Sequence, residues 1–143
     1  MRFILMVKAD KDYEAGVAPN PELYAAIGQL TQDMMRSGVL VEVGGLLPSS
    51  KGARVRVSGG KLTVTDGPFT EAKELIGGYA IVQVNSREEA IGLSKRFMLI
   101  HAEVLGPSYE GESEVRQLAD IGDFDSGAGC GRETQLNAHL ATT

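Results

Sequence analysis

Cysteine and histidine are scarce in this sequence, and their scarcity limits the chemistry that it can support. Cys130 is the only cysteine among 143 residues, which excludes an intrachain disulfide and a zinc site built from several thiolates. His101 and His139 are the only histidines, so a site that needs several imidazoles is excluded as well. The sequence contains no complete nucleophile, metal or cofactor motif, and we therefore predict no metal and no cofactor.

Long apolar runs and basic clusters are also missing. The apolar run at residues 3–7 is too short for a signal-peptide core or a membrane span, so we predict a cytoplasmic protein with no membrane partner. The 14 basic and 19 acidic residues give a formal net charge of -5. Because binding to nucleic acid depends on clustered Lys and Arg, no nucleic-acid partner is expected.

The remaining composition is typical of one soluble globular domain. Of the 143 residues, 43% are hydrophobic and 23% are charged, which is enough to bury a sizeable core. The composition changes near the end of the chain, where Asp, Gly, Ala and Thr are frequent and apolar periodicity is weak. We therefore predict a folded domain at residues 1–119 and an acidic, glycine-containing C-terminal tail at residues 120–143.

The spacing of apolar residues predicts alternating strands and helices. An amphipathic helix is predicted over residues 21–37 after the N-cap Asn20, and a second long helix follows the capping box that begins at Ser86. Alternation of apolar and polar residues around two central glycines predicts a β-hairpin at residues 53–65. Further strands are predicted at residues 2–8, 39–47, 79–84 and 113–118.

This order of elements predicts the fold. A β-α-β unit, an inserted β-hairpin and a second β-α-β unit make the split βαβ order of a ferredoxin-like α+β sandwich. Its helices cover only one face of the sheet. Because the runs at residues 3–7 and 79–82 are apolar on both faces, the uncovered face is predicted to meet the same sheet of a second copy. We therefore expect a homodimer.

The most distinctive segment is residues 65–79, TDGPFTEAKELIGGY. It resembles the DGPF signature of the YCII-related family, and the stretch HAEVLGPSYEGESEVRQL, which begins at His101, is similar to one found in many members. The resemblance implies a ferredoxin-like domain that forms a dimeric α/β barrel. It also implies a link to extracytoplasmic-function sigma factors, which makes a sigma-factor-type regulator a candidate partner. The biochemical role of the family is mostly unassigned.

Asp66 and His101 are the candidate catalytic residues. Asp66 precedes a rigid Gly-Pro turn that could hold its carboxylate at the mouth of a cleft, where it would act as a base. We expect His101 at or just past the C-terminal end of the second helix, where the macrodipole favours the imidazolium. The resemblance implies such a His and Asp pair in some members. The structural alternatives are a carboxylate that caps the turn and a histidine that caps the helix.

Four further residues are candidate substrate-binding groups. Arg54 and Lys73 could bind an anionic group of a substrate, and Glu110 could add a carboxylate to the same edge. Tyr79 follows two glycines whose missing side chains let a ligand approach closely. The alternatives are ion pairs within the sheet for Arg54, surface positions for the other charges and a core position for Tyr79.

These residues leave different functions open. The first is a small-molecule enzyme in which Asp66 and His101 act as acid and base. The second is a non-catalytic metabolite-binding or regulatory dimerisation module, which the lack of a complete catalytic motif favours. In the third, the C-terminal tail contacts another protein, and the only role of the folded domain is to bring two copies of the tail together.

Overall fold

The computed structural model describes residues 1–124. Cys130, His139 and most of the predicted tail lie outside the described residues. Six strands are present: β1 (Arg2–Lys8), β2 (Leu40–Gly45), β3 (Ala53–Ser58), β4 (Lys61–Asp66), β5 (Ile76–Gln83) and β6 (Ser113–Gln117). Three α-helices accompany them: α1 (Lys11–Glu14), α2 (Pro21–Arg36) and α3 (Arg87–Leu105). Short 3-10 turns lie at Ser49–Lys51, Ala72–Glu74 and Ile121–Phe124.

Four of the strands form one antiparallel sheet in the order β2-β5-β1-β6. When the hairpin β3–β4 is left aside, this is the strand order of a ferredoxin-like fold, so the predicted α+β architecture is confirmed. The hairpin forms a two-stranded sheet of its own. Within residues 1–124 the four-stranded sheet is open and does not close into a barrel.

The two long helices begin where their capping residues predict. The side chain of Asn20 accepts hydrogen bonds from the first turn of α2, including the Glu22 N–H at 2.8 Å. The Ser86 hydroxyl accepts from the Glu89 N–H at 3.1 Å and begins α3. Gly106, with a φ of 87°, ends α3, since side chains other than glycine rarely adopt that conformation.

The hydrophobic core lies between the sheet and the two long helices. Alternation along the strands directs every second side chain of β1 and β5 toward α2 and α3. The buried core cluster consists of Phe3, Leu5, Leu30, Met34, Val82, Val84 and Ala90. The opposite face of the sheet, here called the open face, carries Ile4, Met6, Tyr79 and Ile81, which are partly buried.

Two elements differ from the sequence prediction. β5 begins at Ile76 rather than at residue 79, so Gly77 and Gly78 lie inside the strand. Both are buried between neighbouring strands, and a Cβ on Gly78 would lie 3.2 Å from the Gly44 carbonyl oxygen. The helix α1 was not predicted, because four residues are too few for apolar periodicity to appear.

Candidate functional site

A cavity of about 540 Å³ lies between the sheet and the two long helices. Its volume is within the range of roughly 300–1,000 Å³ that is common for small-molecule sites. Leu5, Val7 and Ala80 line it from the sheet. Ile27 from α2 and Phe97 from α3 line it from the helices. The cavity is thus a continuation of the hydrophobic core toward one end of the sheet.

Glycines on both sides make room for this cavity. Gly45 and Gly78 border it on the strands, and Gly28 borders it on α2. A Cβ added to Gly28 would meet no atom within 4 Å, so the missing side chain leaves open space there. Glycine costs about 0.5–1 kcal/mol relative to alanine in a helix interior, so this position widens the cavity at the expense of helix stability.

The cavity lining is uncharged. No Asp, Glu, Lys, Arg or His is among the described residues that border it, and its polar side chains are hydroxyls. Ser94 on α3 is buried and donates to the Ser113 hydroxyl at 2.8 Å, whereas the Thr31 hydroxyl donates to the Ile27 carbonyl at 2.9 Å. A charged ligand would lose its hydration without gaining an ion pair here. The lining therefore favours a neutral, mostly apolar molecule.

His101 lies outside the cavity lining and inside the helix. Because α3 continues to Leu105, the expectation that His101 stands at or beyond the end of the helix is wrong by one turn. The residue is buried, with 8% of its surface exposed, and Nδ1 donates to the Phe97 carbonyl at 2.9 Å, since a carbonyl oxygen only accepts. The ring also stacks on Tyr109 with 5.5 Å between the ring centres. These contacts fix its orientation.

Asp66 ends β4 at the base of the hairpin. It is exposed and its backbone pairs with Ala53 of β3. Among residues 1–124, no hydrogen bond or ion pair joins the Asp66 carboxylate to His101. The acid-base pair therefore stays a prediction, and neither residue lines the cavity.

The candidate substrate-binding residues are spread over several elements. The Arg54 guanidinium lies 3.9 Å from the centre of the Phe69 ring, a cation–π contact that replaces the ion pair expected within the sheet. Lys73 is exposed in the short turn before β5, and Glu110 is exposed in the loop after α3. Their role in binding stays a prediction.

Tyr79 is the one predicted site residue that borders the cavity. Because Ala80 faces the helices, alternation along β5 directs the Tyr79 side chain to the open face, where its ring lies against Gly44. A Cβ on Gly44 would lie 2.9 Å from the ring, so glycine is needed opposite Tyr79. The Glu42 carboxylate raises the pKa of the Tyr79 phenol, and burial adds to this effect. The phenol thus stays neutral above its ordinary range.

Comparison with known protein families identifies the family of the chain. The model of the YCII-related domain family matches residues 1–105, which is more than half of the sequence. The chain belongs to the YCII-related family. An uncharacterised protein of Rhizobium meliloti (strain 1021) is 35% identical to it over 85 residues, which cover 59% of this chain and 64% of that relative. The YCII-related chain thus matches less than two thirds of the relative's length.

The turn at residues 66–69 of this YCII-related protein is fixed by contacts that the sequence pattern did not reveal. A Cβ on Gly67 would lie 1.7 Å from the Ser49 carbonyl oxygen, so only glycine fits without rearrangement. The Ser49 hydroxyl accepts from the Phe69 N–H at 3.0 Å and donates to the Glu14 carboxylate. Glu14 also accepts from the Ser49 N–H at 2.9 Å. The turn is therefore anchored to α1.

Glu14, Ser49 and Tyr109 are the residues that sequence reasoning missed. Glu14 and Ser49 are 35 positions apart, so no local pattern could pair them. Tyr109 follows α3, and its ring is the neighbour of His101. Burial raises the pKa of the Tyr109 phenol, and the Asp10 carboxylate raises it further. A neutral phenol beside His101 therefore persists to high pH.

The described part of the YCII-related chain lacks membrane-spanning helices and groups of metal-binding side chains. Residues 1–124 contain no helix that combines the length and the apolar character needed to cross a membrane. In the same residues, no three His, Cys, Asp or Glu side chains are grouped so that they could hold a metal ion.

Proposed function

We propose that this YCII-related protein is a non-catalytic module that binds a neutral, mostly apolar small molecule in the cavity between the sheet and the helices. The observation that carries this proposal is a cavity of about 540 Å³ whose described lining has no charged side chain. Most binding free energy would come from removing apolar surface from water, at roughly 25 cal/mol per Å².

The hydroxyl groups of the lining suggest how the ligand is oriented. Ser94 and Ser113 form a hydrogen-bonded pair at one side, and a hydroxyl in such a pair can still accept from a ligand. Tyr24 borders the cavity from α2 with 72% of its surface exposed, so its phenol is accessible at the mouth. One ligand group would bond to the serine pair, and a second polar end would reach Tyr24.

The enzyme hypothesis would place the reaction outside the cavity. Asp66 and His101 lie outside the cavity lining, and the His101 Nδ1 is occupied by the Phe97 carbonyl. An acid-base reaction would have to take place near the hairpin base or near the end of α3. The binding module is therefore the function that the cavity supports better.

We also propose that the protein acts as a homodimer that pairs the open faces of two sheets, in the manner of a dimeric α/β barrel. α2 and α3 pack on the opposite face, which leaves Ile4, Met6 and Ile81 without a covering layer from residues 1–124. Apolar sheet faces are normally covered. A cytoplasmic location remains a proposal that rests on the short apolar run at residues 3–7, and a sigma-factor-type regulator as a partner remains a proposal that rests on the resemblance.

The binding proposal can be tested with a neutral apolar fluorophore, N-phenyl-1-naphthylamine, added to the full chain. We expect enhanced fluorescence with wild type and binding at least about tenfold weaker for Gly28→Leu, which corresponds to about 1.4 kcal/mol. The new side chain would extend into the open space at Gly28. Ala80→Leu, which fills the cavity from the sheet, should also weaken binding.

Gly92→Leu is the matched control. Gly92 is an exposed glycine of α3 with no atom within 4 Å of an added Cβ, and it does not border the cavity. It should bind the fluorophore like wild type. Equal binding by wild type and both filled variants would refute the cavity as the site. Turnover of a small molecule that depends on Asp66 and His101 would refute the non-catalytic binding module and support the enzyme hypothesis.

A further inference from the structure

The hairpin β3–β4 exposes a continuous apolar stripe to solvent. Val55 pairs directly with Val64, and Val57 pairs with Leu62, so that the four side chains share one face. Each of them is between 67% and 75% exposed. Exposed β-branched and apolar side chains in a row are uncommon on the surface of a monomer, because such strands readily pair or pack with other chains.

The other face of the hairpin is polar. Arg56 pairs with Thr63, and Arg54 pairs with Thr65. The hairpin is thus amphipathic, with one face suited to water and one suited to burial. Every residue of β3 and β4 is nevertheless exposed. An isolated two-stranded hairpin is at best marginally stable in water, so the apolar face needs a covering surface.

Among residues 1–124, the contacts that hold the hairpin lie at its base. The Gly67 N–H donates to the Gly52 carbonyl at 3.0 Å, and the Arg54 guanidinium stacks on Phe69. These contacts leave the stripe itself uncovered by the rest of residues 1–124. The hairpin therefore projects its apolar face away from its own core.

Charge favours a second copy of this chain as the covering surface. The hairpin, residues 53–66, contains three basic residues and one acidic residue, Asp66, and so has a net charge of about +2 at neutral pH. The whole chain has a formal net charge of -5. The rest of the chain is therefore acidic, and a basic hairpin is attracted to the body of a second copy.

Area also favours a second copy. Four exposed apolar side chains form a patch on the order of a few hundred Å². A stable interface buries roughly 800 Å² on each partner, so the stripe is too small to hold a partner alone. In a twofold dimer the stripe is used twice and adds to the paired open faces. The symmetric arrangement thus supplies the missing area.

We propose that the hairpin β3–β4 is a dimerisation arm whose apolar stripe packs on a second copy of this chain, next to the paired open faces. This inference rests on the homodimer proposed above. It assigns a specific role to Val55, Val57, Leu62 and Val64, which are mostly exposed to solvent within the described part of one chain.

Sedimentation equilibrium of the full chain tests the arm. We expect a wild-type dimer and at least a tenfold higher dissociation constant for Val57→Lys. Val57→Thr keeps the β-branched shape and should show a smaller increase. Thr63→Lys is the matched control, because it adds the same charge on the polar face of the same hairpin. It should leave the dissociation constant within about twofold of the wild-type value.

The outcomes separate the arm from the dimer itself. A monomeric wild type would refute both the homodimer and the arm. A wild-type dimer that Val57→Lys does not weaken would refute the arm alone and leave the paired sheets standing. If deletion of residues 125–143 abolishes dimerisation and Val57→Lys does not, the C-terminal segment makes the contact and the arm is refuted. Circular dichroism spectra should show that all variants are folded.

Discussion

Each of the two sheets of this protein places valines on one face of a strand, but the environments of these valines are opposite. Val82 in the four-stranded sheet is fully buried, whereas Val57 in the hairpin is 67% exposed. Both lie on strands where apolar side chains share a face. The difference is the covering layer, since α2 and α3 pack on the first sheet and no described element packs on the hairpin. A strand pattern thus predicts the apolar face and leaves open which surface will cover it.

Replacement of one leucine in each region is the strongest test of this comparison. Leu30 is 3% exposed in the core and Leu62 is 75% exposed in the hairpin. We expect Leu30→Ala to lower the free energy of unfolding by about 2–5 kcal/mol, because it leaves a cavity. Leu62→Ala should change it by less than about 0.5 kcal/mol in the monomer. Urea denaturation at low protein concentration measures both, and similar losses would contradict the assigned environments.

Two glycines should respond to alanine with opposite signs. Gly67→Ala places a Cβ 1.7 Å from the Ser49 carbonyl oxygen and should lower the free energy of unfolding. The expected loss is about 1–3 kcal/mol, because the backbone must shift. Gly28→Ala meets no atom within 4 Å and should raise the same quantity by about 0.5–1 kcal/mol through helix propensity. Thermal unfolding of both variants checks this, and a stabilised Gly67→Ala would show that the turn is not tightly packed.

The smallest expected effect concerns the predicted acid-base pair, which would connect the hairpin to the core. The His101 ring stacks on Tyr109, so Tyr109→Leu should move the imidazole NMR signals of His101. We expect Asp66→Asn to leave those signals in place. His139→Ala assigns the two histidines. A clear shift of the His101 signals with Asp66→Asn would show that the residues share a site and would favour the enzyme hypothesis.

The parts of the fold that local chemistry encodes could be predicted. Helix caps such as Asn20 and Ser86, and the alternation in the hairpin, depend on residues a few positions apart. The element order then leads to the ferredoxin-like topology, which the strand order confirms. The start of β5 was misplaced because Gly77 and Gly78 usually break strands, and here they allow close contact between neighbouring strands.

The candidate site could be predicted only in part. The cavity is formed by residues from six separate elements, and its width depends on Gly28, whose open side no local pattern indicates. The turn at residues 66–69 was identified as distinctive from its sequence, but its anchoring by Glu14 and Ser49 needs contacts between distant positions. A motif in the sequence can identify a distinctive turn, but the residues that anchor the turn are identified only in the folded structure.

The anchoring of the turn has a mechanical consequence for the hairpin. Each strand has six residues and extends about 20 Å from the base, at roughly 3.4 Å per residue. A rotation of about 10° at the base would therefore move the tip by about 3.5 Å, close to one residue of strand length. The bonds of Ser49 to Glu14 and Phe69 lie near this pivot. Their stiffness thus determines how accurately the far end of the hairpin is positioned.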